Sequence, residues 1–129
     1  MPGRDEVTGI IVDAAYRLHT RIGPGLLENV YEAILAKMLA DRGLEIERQK
    51  PISFVIDGIH FQDGFRVDLL VERRIVVEIK AIQKLAPVHS KQLLSYLRLM
   101  DLQVGLLINF GEERLKEGLH RVVNRYHPQ

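Results

Sequence analysis

Apolar residues at positions 7, 10, 11, 14, 15, 18 and 22 recur every three or four residues, which predicts one helix with Asp5 or Thr8 as its N-cap. Gly23-Pro24-Gly25 stops that helix and opens another. Leu26, Leu27, Val30, Tyr31, Ile34, Leu35 and Met38 mark the apolar side of the second helix, which ends at Gly43. Beyond it the pattern becomes strand-like. Ile46 to Ile56 predicts a strand in which Pro51 favours an edge or a bulge, because proline cannot donate to a ladder. Asp57-Gly58 predicts a hairpin turn into Ile59-His60-Phe61, and Asp63-Gly64 a further turn. Two apolar runs follow, Val67 to Val71 and Ile75 to Lys80, joined by Glu72-Arg73-Arg74. Val88 to Met100 reads as a helix, Val104 to Phe110 as a buried strand and Glu112 to Arg125 as a closing helix. The expected architecture is α/β, a mixed sheet with helices packed on it, in a single domain over residues 1–129. The almost wholly apolar strand at 104–110 should lie centrally, beside the Glu78 strand, with both faces covered.

Charged positions inside the two apolar runs carry the candidate chemistry. Asp68 sits in the first run, Glu78 and Lys80 in the second. If Val71 pairs with Ile75 across the turn, Asp68 falls opposite Glu78, where facing Cβ atoms lie about 4.5–5.5 Å apart. Lys80, two residues beyond Glu78, shares its face. Like charges held side by side in apolar surroundings are costly unless a cation bridges them. Two carboxylates with room for water suit Mg²⁺, which takes oxygen ligands and keeps several waters. A lysine there would steady the charge that grows on a phosphate. The structural alternative is a salt bridge from Lys80 to either acid on a half-exposed sheet.

Composition narrows the setting. With 129 residues, 47% of them hydrophobic, the chain can bury a proper core. No stretch approaches the roughly 18 uninterrupted apolar residues of a membrane span, and Met1 to Glu6 lacks the layout of a secretory signal. A cytoplasmic location without membrane contact is expected. The absence of cysteine excludes disulfides and thiolate metal sites. A net charge of +1, from 18 Lys and Arg against 17 Asp and Glu, argues against a hold on nucleic acid by bulk charge. Phosphate contacts would have to come from a metal plus a local cluster among Arg42, Arg48, Lys50, Arg73, Arg74, Lys80, Lys84, His89 and Lys91.

Asp68 followed by Glu78-Ile79-Lys80 resembles the signature of the PD-(D/E)XK nuclease superfamily. Gly25-Leu26-Leu27-Glu28-Asn29-Val30-Tyr31 resembles the motif that names its small GxxExxY branch. Further matches are Arg66 to Val71, Pro87-Val88-His89, Gln92 to Leu97 and Gly105 to Phe110, so the resemblance runs from Val7 to Val123. Val67 stands where the signature has a proline. The resemblance implies a restriction-endonuclease-like core, a mixed four-stranded sheet with flanking helices and a metal cleft at one end. It implies hydrolysis of phosphodiester bonds in nucleic acid, above all DNA, with Mg²⁺ as cofactor and Mn²⁺ as substitute. Asp68, Glu78 and the carbonyl of Ile79 would hold the ion, and Lys80 would position the attacking water or stabilise the phosphorane-like charge.

The superfamily often supplies one more acid from its first core helix. Helical geometry puts Glu28 at the border of the apolar arc and Glu32 farther toward solvent, so Glu28 is the expected further ligand. A favourable acid near a helix N-terminus is the structural alternative. His89, Gln92 and Tyr96 share one helix stripe. Gln92 and Tyr96 resemble the QxxxY element of exonuclease-like branches, whose glutamine helps hold the site and contacts the substrate strand. Candidate substrate contacts are therefore Gln92, Tyr96, His89, Lys84, Arg73 and Arg74. Tyr96 as a core residue and His89 as a helix-start residue are the alternatives. His19, His60, His120 and His127 are scattered and read as surface. No nucleophile elbow or phosphate-cradling glycine loop is present. The expected function is a metal-dependent nuclease, with a catalytically idle nucleic-acid-binding or protein-assembly module of the same fold as the rival. A homodimer would supply a second site in two-fold relation, and a helicase or other protein partner could confer activity.

Overall fold

Two helices precede the change from helical to strand periodicity: α1 (Arg4–Ile22) and α2 (Glu28–Asp41). The sheet is then laid down as β1 (Ile46–Ile56), β2 (Ile59–Val71) and β3 (Ile75–Lys80). After α3 (Pro87–Met100) come β4 (Val104–Asn109), the short α4 (Leu115–Gly118) and β5 (Leu119–Val123). This is a computed structural model that describes residues 3–125, so Met1, Pro2 and His127 lie outside the described residues. The strands form one mixed sheet in the order β1-β2-β3-β4-β5. The β1–β2–β3 meander is antiparallel, α3 carries the crossover to a parallel β3–β4 pair, and β5 returns antiparallel to β4.

Helices cover both faces. Val7, Ile11, Leu18, Tyr31, Leu35 and Leu39 of α1 and α2 pack with Leu69, Val71, Ile75, Val77 and Ile79. On the other face, Leu93 and Leu97 of α3 pack with Val67, Leu70, Val76 and Leu107. All six residues of β4 are buried, as its almost wholly apolar pattern requires between two helical layers. Gly105 lets α3 approach, because a Cβ there would lie 3.0 Å from the Leu93 side chain.

Several expectations hold. Asp57 and Gly58 both have positive φ, 51° and 76°, in a two-residue loop between the paired Ile56 and Ile59. Pro51 lies on the edge strand β1. Val71 pairs with Ile75 across Glu72-Arg73-Arg74, as the pattern demanded.

Others need correction. The sheet has five strands, not four, because the expected helix from Glu112 to Arg125 is α4 followed by β5. Leu115, Leu119 and Val122 are spaced for a helix, but the outer edge of β4 offers unpaired backbone groups and wins the segment. Gly118 also packs so close to the Asn109 carbonyl that a Cβ would sit 2.4 Å from it. Asp63-Gly64 is not a turn but an irregularity within a continuous β2. Three residues, 62–64, face the single Ser53, and the Phe54 ring lies over Gly64. Helix α1 begins at Arg4 after Gly3, so neither Asp5 nor Thr8 is its cap; the Thr8 hydroxyl donates to the Arg4 carbonyl inside the helix. Helix α2 begins only at Glu28, leaving Leu27 73% exposed.

Candidate active site

The β2–β3 ladder stops at Leu69–Val77, although β3 continues to Lys80 beside β4. Two acids fill the place where the strands part. The Ile79 N–H donates to Asp68 Oδ2 at 2.7 Å, and the Asp68 N–H donates to Glu78 Oε2 at 2.8 Å. Each carboxylate thus satisfies a backbone donor where the ladder ends. The chain is distorted at the same point. Val67 and Leu69, two residues apart, pack into cores on opposite faces of the sheet.

Glu78 is 7% exposed, and its carboxyl pKa is pushed up to about 8, first by burial and then by the Asp68 charge. The Asp68 N–H and the Lys80 ammonium oppose that rise. Lys80 is half-buried and its backbone is fixed from below, since its carbonyl accepts the Phe110 N–H at 2.8 Å. Asn109, wholly buried beside Lys80, holds the next segment: its Oδ1 accepts from the Ile82 N–H and its Nδ2 donates to the Ile82 carbonyl. Gly111 allows this approach, because a Cβ would lie 2.1 Å from the Ile82 oxygen.

Glu28 opens α2 and reaches toward the same cleft. The residue as a whole is exposed, yet its carboxyl end is partly desolvated, which raises its pKa; Asp68 and Glu32 raise it further, while Lys80 and His89 lower it. The helix start is pinned by Tyr31. Its ring stacks on Phe110 at 4.6 Å, its hydroxyl donates to the Gly23 carbonyl at 2.6 Å, and the Leu26 N–H donates to it at 3.1 Å. The glycine, glutamate and tyrosine of the motif at 25–31 therefore act on one element: a turn, the residue after it and its anchor. Among the described residues no three Asp, Glu or His side chains form a ready ligand cluster. Glu28 lies within the electrostatic field of Asp68 and Lys80.

On the opposite face of the sheet, α3 carries His89, Gln92 and Tyr96, of which Tyr96 lies in the field of Glu78 and Asp68 and His89 in that of Glu28. Tyr96 stacks on Phe65 at 4.1 Å, and burial together with the charges of Glu78 and Asp68 raises its pKa. His89 Nδ1 accepts the Ala86 N–H at 2.9 Å and fixes the start of α3. Gln92 and Lys84 are exposed. Arg73 and Arg74 stand in the turn at the far end of β3, about 13 Å or more from Glu78 at a strand rise of about 3.3 Å per residue. Arg73 there pairs with Glu45 at 2.9 Å. Arg42, Arg48 and Lys50 are likewise engaged, with Asp13, Glu32 and Glu47.

Sequence reasoning misplaces two residues and misses a third. Glu32, expected toward solvent, is 4% exposed and accepts hydrogen bonds from Arg48 Nε at 3.2 Å and Gln49 Nε2 at 2.7 Å. The helical arc points to solvent only until β1 is laid across it. His19, expected on the surface, is buried beside Phe110 and donates from Nε2 to the Glu112 carbonyl at 2.8 Å. Gln49 of β1 is the missed residue. It stands opposite Asp68 in the register and donates to Asp68 Oδ1 at 3.2 Å. Register against β2 was the available signal, and it needed the length of the Asp63 irregularity.

The carboxylates fit a hard cation. Each has one oxygen tied to a backbone N–H, and the donor set is all oxygen, as Mg²⁺ requires; two protein carboxylates with waters completing the shell is a usual arrangement for that ion. No helix among the described residues is long and apolar enough to cross a membrane. No curated protein and no solved structure matches the chain. The sequence profile of the PD-(D/E)XK nuclease superfamily does, over residues 5–122. Since that span runs from the first turn of α1 into β5, the match is to the whole fold and not to a motif alone, and the chain belongs to the PD-(D/E)XK nuclease superfamily.

Proposed function

We propose that this protein is a metal-dependent nuclease that hydrolyses phosphodiester bonds in DNA, using Mg²⁺ or, in its place, Mn²⁺. The observation that carries this reading is the crossed Asp68–Glu78 pair with Lys80 on the same strand, at the one place where β2 and β3 part. A bound divalent ion would supply Lewis-acid stabilisation of the scissile phosphate and activation of water. Asp68 and Glu78 would hold it. The Ile79 carbonyl is a third donor, because in an extended strand it points the same way as the Ile79 N–H, into the gap beside Asp68. Glu28, in the same electrostatic field, would add a further ligand directly or through water. Lys80 would stabilise the negative charge that develops on the phosphoryl oxygens.

Gln92, Tyr96, His89 and Lys84 would orient the substrate strand; the fields of Glu78 and Asp68 at Tyr96, and of His89 at Glu28, support this for two of them. A contact by Arg73 or Arg74 would need a substrate that runs the length of β3.

Incubation with linear, circular, single-stranded and branched DNA, in Mg²⁺ or Mn²⁺, tests the reading. Glu78→Gln is the suitable control, since its amide oxygen still accepts the Asp68 N–H. Cleavage by wild type and none by the variant is expected. Binding of DNA without cleavage in any metal would leave a catalytically idle binding module; cleavage only after addition of a helicase or another protein would make it a subunit.

A further inference from the structure

Among the residues described around the cleft, Gln49 stands out because its backbone departs from the conformation of its own strand. It lies inside β1 with φ of 48°, in the left-handed region that L-residues other than Asn and Asp rarely occupy. Ladder pairing is regular on either side of it, Arg48 with Leu69 and Lys50 with Val67, but is absent at Gln49 and Asp68 themselves. Such strain persists only where the surroundings over-determine it, and it gathers at functional positions.

Its side chain bridges two acids. The amide nitrogen donates to Glu32 Oε1 at 2.7 Å and to Asp68 Oδ1 at 3.2 Å. Both partners are carboxylates, which only accept, so only the nitrogen of the amide can face them. Glu32 is a rigid anchor, 4% exposed and paired with Arg48. Asp68 Oδ2 is already fixed by the Ile79 N–H. One tether leaves a carboxylate able to rotate about its χ2 bond. A second, on the other oxygen, fixes its plane.

We infer that Gln49 is a positioning residue that locks the Asp68 carboxylate plane from the buried Glu32, so that Asp68 offers its remaining lone pairs to a divalent cation in a fixed direction. This rests on the metal-dependent reading above. Gln49 does not touch the ion; it acts through Asp68. Outer partners of this kind typically change metal affinity by about 10–100-fold when removed.

The test compares Mn²⁺ affinity, measured by electron paramagnetic resonance, in wild type, Gln49→Met, Gln49→Gly and Asp68→Asn. Met keeps the length of the side chain without its donors. Gly accepts the left-handed backbone without strain, so a loss there comes from the missing amide and not from a misfolded β1. Both Gln49 variants are expected to bind Mn²⁺ about tenfold or more weakly than wild type, and Asp68→Asn not detectably. In wild type the Gln49 side-chain amide signals in ¹H–¹⁵N spectra are expected to move on Mg²⁺ addition, and in Asp68→Asn to stay. Wild-type affinity in Gln49→Gly overturns the positioning role while leaving the metal reading intact. Failure of both Gln49 variants to fold makes the residue structural and equally overturns it. Absence of Mn²⁺ binding in wild type, or binding that survives Asp68→Asn, brings down the metal reading and this inference with it.

Discussion

Asp68 and Glu78 are joined by a reciprocal exchange: the backbone N–H of Asp68 is held by the Glu78 carboxylate, and the Asp68 carboxylate holds the N–H that follows Glu78. This lets β2 leave β3 without orphaning backbone donors. It also keeps the half-buried Asp68 beside the buried Glu78, where their repulsion is felt in both stability and ion binding.

Glu78 sets the first expectation. Its pKa in the folded protein is about 8 against 4.5 as the ordinary value, raised by burial and by Asp68. The folded state therefore binds this proton more tightly than the unfolded one. The resulting stability is fully present below about pH 4.5 and is lost as pH rises toward 8. The metal-free protein should lose stability through that window, by at most about 1.4 kcal/mol per pH unit from this group. Glu78→Gln should flatten the loss. Thermal melts in a chelator from pH 5 to 8 measure it; parallel curves for the two proteins would contradict the expectation.

Metal binding should run the opposite way with pH. An ion has to displace the Glu78 proton below pH 8, so affinity should rise from pH 6 to 8 and binding should release protons. Calorimetry in two buffers of different ionisation enthalpy counts them. Millimolar Mg²⁺ or Mn²⁺ should raise the wild-type Tm more at pH 8 than at pH 6, and should do nothing for Glu78→Gln or Asp68→Asn. The two variants should differ without metal. In Asp68→Asn the new side-chain NH₂ group would have to face either the Ile79 N–H or the Gln49 amide, so this variant should be the less stable.

Lys80 separates chemistry from binding. A fixed ammonium matters most where negative charge develops, so Lys80→Ala should slow single-turnover cleavage by roughly a hundredfold or more. DNA affinity measured in Ca²⁺ should fall much less, because one phosphate contact among several is lost. Arg73→Ala, at the far end of β3, should leave the saturated rate unchanged. Normal cleavage by Lys80→Ala with collapsed binding would make Lys80 a phosphate anchor instead.

Tyr31→Phe tests the anchor of α2. The ring can still stack on Phe110, but the Gly23 carbonyl and the Leu26 N–H lose their partner. A loss of about 1–2 kcal/mol is expected from two part-buried hydrogen bonds at about 1 kcal/mol each. Denaturant unfolding measures it. A Tyr31→Phe protein as stable as wild type would mean that the Gly23-Pro24-Gly25 turn holds itself.

By itself the sequence determined whatever depends on local period and turn chemistry. The switch from helical to strand spacing near residue 46 located α1, α2 and the sheet, Asp57-Gly58 dictated a tight hairpin, and the almost wholly apolar run at 104–109 required a strand covered on both faces. Counting back from Glu72-Arg73-Arg74 brought Asp68 level with Glu78, because the pairing register of a hairpin is fixed by its own turn. Only the tertiary structure decided the rest. Residues 119–123 became a strand because the edge of β4 needed a partner, against a spacing that suits a helix equally. Glu32 was buried, and Gln49 brought to Asp68, by the way β1 crosses α2 and by the irregularity at 62–64 that sets its register. Those placements join residues 16 to 19 positions apart through pairings among three elements, and no local pattern in the chain encodes such a contact.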